Sequence, residues 1–440
     1  MNKKILFEGR NLTLSRGTGI ATYARNLTRI AKQLGYRSEV LIGTDQHLPR
    51  NGPLSEIALY DARKQASSPA TSALRSYLRG LVPVPFGIRT QVVSRSGIVV
   101  RPQGANLLDE FEAVHAAFDL FEIADQHLIR FGTRAKVNVP DQPDIFHATH
   151  PTPLMVAGAA NIYTIHDLVP LRLPYTTLDK KNLFLKTVST LARDADHIVT
   201  VSEFSRQEII RFLKVDEKRV TNTYQAVGLP ARLTDRPEAE IDEDLANIFG
   251  LERQGYFLFF GALEPKKNVG TLIDAYVASG TTRPLIIAGG LGWQYDEDLA
   301  KIEDQRFVSY RLKDGVIRPE RQVRRYSHLP FSQLVSLIRG ARGVLFPSLY
   351  EGFGLPVLEA MLLGTPVMTS NVSSLPEVVG DAALLIDPYD VEAMARTIRR
   401  LDRDDDLAQD LSARGRLRAE LFSPERYRKR IADLYDSLLR

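Results

Sequence analysis

Short apolar runs alternate along this chain with longer segments whose apolar residues recur at helical spacing. In the first half the runs predict strands at Lys4–Glu8, Arg37–Ile42, Ile145–Ala148, Ile162–Ile165, Ile198–Val201 and Val220–Tyr224. In the second half they predict strands at Tyr256–Gly261, Pro284–Ala288, Phe307–Tyr310, Val344–Pro347, Pro366–Thr369 and Ala383–Ile386. Strands separated by amphipathic helices form parallel sheets covered on both faces. Two such series give an α/β protein with two Rossmann-like, doubly wound domains, whose ligands bind at the carboxyl ends of strands in the cleft between them. The predicted division is 1–227 and 251–420, joined by a polar, Pro-containing linker at 228–250, with a variable insertion at about 44–142. Residues 421–440 close the chain with an amphipathic helix, Pro424–Leu439, capped by Ser423.

Composition narrows the chemistry. A chain of 440 residues is long enough for two ordinary domains. There is no cysteine, so no disulfide framework or thiolate metal site, and the eight histidines show no HxxxH pairing. No metal is expected. The N-terminus, MNKKILFEGR, lacks a signal pattern, and the longest uncharged stretches fall short of a membrane span. A cytoplasmic protein is expected. The net charge is only +4, but Ala62–Arg101 carries seven basic residues and no acid, mixed with apolar ones. That stretch reads equally well as a solvated surface or as a face for an anionic membrane, which would make the protein peripheral on the membrane's inner side. No nucleic-acid motif accompanies the charge, so no nucleic-acid partner is expected.

The richest stretch is LFPSLYEGFGLPVLEAMLLGTP, Leu345–Pro366. An apolar strand ends at Pro347-Ser348, a tight loop follows with Glu351, Gly352 and Gly354, and Pro356 is expected to open a helix with Glu359 in its first turn. Small residues before a helix let an anion reach bare N–H groups at its positive end. Acids beside an anion site suit hydroxyls rather than phosphate. Hydroxyls on either side of a phosphate describe a nucleotide sugar.

Glu351 and Glu359 within EGFGLPVLE resemble the Glu-x7-Glu signature of retaining glycosyltransferases of family four, which have the GT-B fold. Three further blocks are similar in the same order: GTG at 17–19, TIHD at 164–167 and GALEPKKN at 261–268. The resemblance covers nearly the whole chain and is weakest between about Thr44 and Gln142. It implies that Glu351 accepts from donor-sugar hydroxyls and favours positive charge at the anomeric carbon, while Glu359 grips the ribose. It implies that the N–H groups near Phe353, Gly354 and Leu355, together with the glycine loop of Gly17 and Gly19, meet the diphosphate or sugar. Lys267 would stabilise the departing diphosphate without metal. His166 would contact the transferred sugar, and Asp167 would position the loop or bind acceptor.

The family often has an Arg where this chain has Ala262, and a small residue there followed by LEPRKN is similar to a subgroup rich in mannosyltransferases. The implied donor is a nucleotide hexose, GDP-mannose first and UDP- or TDP-sugars as alternatives. The implied acceptor is a glycan or lipid-linked glycan of surface polysaccharide assembly. A sugar-nucleotide epimerase, a phosphorylase and a non-catalytic sensor are the rival readings. Lys266 reads as solvent-facing, Tyr23 as a core aromatic, Ser202 as a helix cap, and Trp293 as either a nucleotide-end side chain or a surface anchor.

Overall fold

The computed structural model describes residues 3–12, 19–49, 52–61, 87–100, 105–313 and 316–439. Gly17 and most of the basic stretch 62–101 therefore lie outside the described residues.

The strand Lys4–Glu8 is buried at every position, as expected for a central strand covered on both faces. It pairs in parallel with Arg37–Thr44 on one side and Ile145–Ala148 on the other. The sheet runs, in spatial order, Val220–Asn222, His197–Thr200, Ala160–Thr164, Ile145–Ala148, Lys4–Glu8, Arg37–Thr44, Ala113–Phe118 and Gln91–Val92. Only Gln91–Val92 is antiparallel to its neighbour. Ala113–Phe118 falls inside the span expected as an insertion, yet it pairs with Arg37–Thr44 over six residues. Part of that span therefore belongs to the central sheet.

The second sheet is wholly parallel: Val323–Tyr326, Leu285–Ala288, Phe257–Phe260, Gly343–Phe346, Val367–Ser370 and Leu384–Ile386. The strand expected at Phe307–Tyr310 instead opens an antiparallel hairpin, Val308–Lys313 with Val316–Arg321. The sixth place in the sheet is taken by Val323–Tyr326, whose three basic-or-polar side chains conceal it in the sequence.

The helices that matter below are α1 (Gly19–Gln33), α2 (Leu120–Phe131), α3 (Lys181–Asp194), α4 (Glu203–Leu213), α5 (Leu355–Leu362), α6 (Leu375–Val379), α7 (Asp405–Ala419) and α8 (Pro424–Leu438). The stretch expected as a linker is mostly structured. Ile241, Leu245 and Phe249 are buried in the core of the second half. In the short helix Glu238–Asp244 the acids surround a single buried position, Ile241, so polarity alone misread it. Helix α7 stays with the second half. Helix α8 crosses back, and its Tyr427, Ile431, Leu434 and Tyr435 join the core around Ile5 and Phe7. Ser423 caps α8 by accepting from the Arg426 N–H.

Candidate active site

The loops that follow the strands Phe257–Phe260 and Gly343–Phe346 are stapled together. The Leu349 N–H donates to the Lys266 carbonyl at 2.7 Å. Asn268, in the left-handed region at φ 61°, sends its amide to the carbonyls of Pro347 and Pro388 at 3.2 and 2.8 Å. This fixes Lys267 opposite Glu351. Its Nζ donates to Glu351 Oε1 at 2.5 Å, and the Ser348 hydroxyl lies 2.7 Å from the same oxygen. Both partners are buried. Lys267 Nζ also lies 5.0 Å from the centre of the Phe346 ring, where the ring's negative face favours the cation. Burial pushes the Glu351 carboxyl up, but Lys267 and Lys266 outweigh it and hold it below the usual range.

Lys266 is not the solvent-facing lysine expected. It is half-buried, and although burial disfavours its charge, Glu351, Glu264 and Asp167 outweigh that and raise its pKa. The carboxyls of buried Glu264 and half-buried Asp167 are pushed up by desolvation, with Lys266 opposing the shift in both. Two lysines thus face three acids where an anion would enter.

Glu359 behaves differently. Helix α5 begins at Leu355 with Pro356 second, so Glu359 sits in the second turn, not the first. Its carboxyl has no hydrogen-bond or ion-pair partner among the described residues, and burial pushes it up to about 7. Gly354 precedes the helix at φ 104°, a conformation that disfavours side chains. The N–H groups of Phe353, Gly354 and Leu355 have no protein acceptor among the described residues, so they are open to a ligand at the helix's positive end. The Phe353 side chain points away from them into the core shared with Phe422. Gly19 opens α1 with its Cα facing Leu355, at about van der Waals distance for an added Cβ. Helix α1 therefore begins against the start of α5.

The opposite wall is uncharged at its centre. His166 Nε2 donates to the Thr149 carbonyl at 2.9 Å, and the ring meets Tyr23 edge-on at 4.8 Å between centroids. Burial pushes His166 down to about 4, so the imidazole is neutral at pH 7 and Nδ1 keeps its lone pair. Tyr23, pushed up to about 12 by burial, lies 3.0 Å from Thr164 Oγ1. His147 joins Thr164 at 3.0 Å to the hydroxyl of Tyr435 on α8 at 2.8 Å. Asp167 Oδ1 accepts from the Val169 N–H at 3.0 Å and so positions the turn after His166.

The walls touch. Gly352 packs so closely that a Cβ there would fall 2.8 Å from Asp167 Oδ2 and 3.0 Å from the His166 carbonyl. Tyr350 donates to Glu208 on α4 at 2.8 Å. Glu377 on α6 accepts from the first two N–H groups of α4, Glu203 at 2.6 Å and Phe204 at 2.9 Å. Trp293 donates to the Thr176 carbonyl at 2.9 Å. It is thus an anchor between the two halves. Ser202 caps α4 through the Ser205 N–H at 3.1 Å.

Two residues near the reaction centre escaped the sequence reading. Glu8, fully buried at the end of the first strand, has Oε2 2.7 Å from His150 Nδ1. The signal was available in HATH, His147–His150, which runs out of the end of the strand Ile145–Ala148. The DRDDD run of 402–406 is structural: Asp402 pairs with Arg283, Asp404 caps α7, and Asp405 pairs with Arg342.

Two family models match this chain in succession: Glycosyltransferase Family 4 over residues 17–227, and Glycosyl transferases group 1 over residues 242–418. O-antigen chain mannosyltransferase B of Escherichia coli is 37% identical over 269 residues, 60% of this chain and 67% of that protein. The chain belongs to glycosyltransferase family four and has the GT-B fold. The serotype-specific mannosyltransferase WbdA of Escherichia coli is 30% identical over 59% of this chain, but the match spans only 31% of WbdA. Among solved structures, Anabaena Alr3699/HepE in complex with UDP and glucose superposes with a TM-score of 0.66 at 16% identity, over 99% of this chain and 100% of that one. The transferase thus places the Glu351–Lys267 pair, the start of α5 and His166 around one cleft.

Proposed function

We propose that this transferase moves a hexose, with mannose from GDP-mannose the first candidate, onto a glycan or lipid-linked glycan in surface polysaccharide assembly. It would do so with retention of anomeric configuration and without metal. The observation that carries this is the buried Lys267–Glu351 pair at 2.5 Å beside the open N–H groups of α5. The mannose assignment is supported by the names of the O-antigen mannosyltransferases that this chain resembles.

In the proposed reaction the bond from the anomeric carbon to the leaving phosphate oxygen breaks. An acceptor oxygen bonds to that carbon on the same face, and the acceptor's proton passes to the departing phosphate. Lys267 has three donors and spends one on Glu351. The others, with Lys266 and the N–H groups of Phe353, Gly354 and Leu355, meet the negative charge that grows on the diphosphate. Glu351, kept ionised by the two lysines, steadies the cation-like sugar. Glu359, with no hydrogen-bond or ion-pair partner among the described residues, would accept from the ribose hydroxyls. Neutral His166 orients a sugar hydroxyl and has no duty as a base.

Thermal-shift ranking of GDP, UDP and TDP tests the donor base, because a ligand at about 100 times its Kd stabilises the folded state by about 2.7 kcal/mol. GDP is expected to give the largest shift. Incubation with GDP-mannose and an acceptor lipid, with product linkage read by NMR, tests transfer and retention. If no nucleoside diphosphate raises Tm, or if the product is inverted, the assignment fails.

A further inference from the structure

Glu264 has no part in the reaction set out above, and its carboxyl is poorly served by the protein. The residue is 8% exposed, and its Oε2 is buried with no hydrogen-bond partner among the described residues. Burying an acid without partners costs stability, so a ligand that supplies them is the natural complement. The backbone fixes where that ligand would lie. The Glu264 carbonyl accepts from the Lys267 N–H at 2.9 Å, which ties it to the turn of the reactive lysine. On the loop after the strand Leu285–Ala288, the Gly292 N–H donates to the Leu263 carbonyl at 2.9 Å. A Cβ on Gly292 would fall 3.5 Å from Glu264 Cγ. The Glu264 side chain therefore lies against the loop that carries Trp293.

The cleft mouth beside Trp293 is aromatic. Trp293 holds the Thr176 carbonyl, and the neighbouring Tyr175 is 62% exposed. Tyr389, from the second half, is 67% exposed, and its hydroxyl meets that of Tyr175. Its backbone is anchored: the Tyr389 N–H donates to Asp387 Oδ1 at 2.9 Å, and the Pro388 carbonyl accepts from Asn268 at 2.8 Å. Asn268 directly follows Lys267. A single exposed tyrosine is ordinary. Two that meet from opposite halves, each tied to the cleft through a neighbouring backbone group, form a fixed aromatic rim.

The chemistry of rim and floor selects a sugar chain. A pyranose has a face of C–H groups with slight positive charge, which suits the negative face of an aromatic ring. Its edge carries hydroxyls, which need acceptors, and an unpartnered carboxylate oxygen accepts from them. A second phosphate is disfavoured here, because Glu264 and Asp387 would repel it.

We propose that Glu264, Tyr175 and Tyr389 form a subsite for the acceptor glycan, which holds the sugar units behind the one that is glycosylated. This rests on the glycan acceptor proposed above. The full chain, saturated with GDP, can be titrated with α-mannotriose and with methyl α-mannoside and followed by calorimetry and saturation-transfer NMR. Wild type is expected to bind the trisaccharide about tenfold more tightly, since each ring contact contributes a few-fold. Tyr175→Ala/Tyr389→Ala is expected to abolish that preference and to keep the wild-type thermal shift with GDP. Glu264→Gln is expected to weaken trisaccharide binding several-fold while Tm holds or rises, because the fold loses no hydrogen bond made by Oε2.

Equal affinity of wild type for the two sugars overturns the proposal, as does wild-type trisaccharide binding by both variants. Loss of GDP binding in Tyr175→Ala/Tyr389→Ala also overturns it, because the rings would then serve the donor. A fall in Tm of Glu264→Gln that accompanies its loss of binding makes Glu264 structural and removes it from the subsite. If GDP-mannose is not turned over while the trisaccharide results stand, the donor assignment fails and the subsite does not.

Discussion

The two walls of the cleft handle charge in opposite ways. The wall from the second half gathers Lys266, Lys267, Glu264 and Glu351, and there Glu351 and Lys266 keep their charge despite burial. The wall from the first half meets it with a neutral His166, backed by Tyr23, Thr164, His147 and Tyr435 in one hydrogen-bonded series. Charge is concentrated where a diphosphate would leave, and neutral donors and acceptors where sugar hydroxyls would be oriented. A buried ion pair adds little stability compared with apolar side chains of the same shape. The catalytic role proposed above would account for such a pair at the ends of two adjacent strands.

The largest expected effect breaks the charged wall. Lys267→Met is expected to lower kcat by about 10²–10³, the scale of removing one preorganised donor from a developing anion. It should also destabilise the fold by about 3–5 kcal/mol, because Glu351 is left buried without its direct cationic partner. The double variant Lys267→Met/Glu351→Gln separates the two effects: urea unfolding should recover most of the lost stability while turnover stays low. If the double variant regains turnover, Lys267 serves the fold and not the departing phosphate.

Next in size is the contact between the walls. Gly352→Ala would place a methyl 2.8 Å from Asp167 Oδ2 and 3.0 Å from the His166 carbonyl. The His166 carbonyl is backbone, and the short Asp167 side chain is held by the Val169 N–H, so the walls must part. A displacement of about 1 Å at a reaction centre lowers kcat roughly 10²-fold. Nucleotide affinity, which the proposed reading assigns mainly to the second half, should change much less. Steady-state kinetics beside calorimetric GDP binding would show the split, and a parallel loss of both would place the effect on the donor loop instead.

How far the sequence reveals each wall follows from its physics. The second-half wall is local: Glu351, Phe353, Gly354 and Glu359 lie in one loop and helix, and Lys267 in one turn, so short motifs that resemble a known family point to them. The first-half wall is assembled from the ends of several strands, and Glu8 meets His150 across 142 positions. No short pattern records that meeting. The strand Val323–Tyr326 and the helix Glu238–Asp244 are hard to read from sequence because each is mostly polar and sends a single residue, Val323 or Ile241, fully into the core. Glu359 was placed one turn too early, because the helix begins at Leu355 with Pro356 in its second position.

The third prediction sets the two titrating groups of the walls against each other. Glu359, pushed up to about 7, is ionised only above that pH. Its ionised form is the better ribose acceptor, so GDP affinity should fall as pH drops below 7, by about tenfold per unit at most. Glu359→Gln should remove that dependence. The stability consequence has the opposite sign. A carboxyl raised from its unfolded value lowers stability as pH rises through about 7, so Glu359→Gln should stabilise the fold at pH 8 by roughly 1–2 kcal/mol and little at pH 5. His166, pushed down to about 4, unfolds with proton uptake. Its contribution is complete above pH 6.5 and is lost as pH falls toward 4. Melting curves of wild type and Glu359→Gln across pH 4–8 would show both. A variant curve parallel to wild type throughout would remove Glu359 from the account.

The smallest expected effect concerns how the walls are kept together. Trp293 donates one hydrogen bond to the Thr176 carbonyl across the halves at 2.9 Å. Trp293→Phe keeps an aromatic ring and deletes that bond, worth about 0.5–1.5 kcal/mol net. Tyr350 to Glu208, and Glu377 to the start of α4, still join the halves, so the closed arrangement should become slightly less favoured without being lost. The expected result is a two- to fivefold rise in KM for the donor, as 1 kcal/mol of lost closure predicts, with kcat within twofold of wild type. This contrasts with Gly352→Ala, which disturbs the reacting geometry itself and should lower kcat. If Trp293→Phe lowers kcat as far as Gly352→Ala does, the rim bond and the central contact act as one unit, and the walls close as a rigid pair rather than through separate contacts.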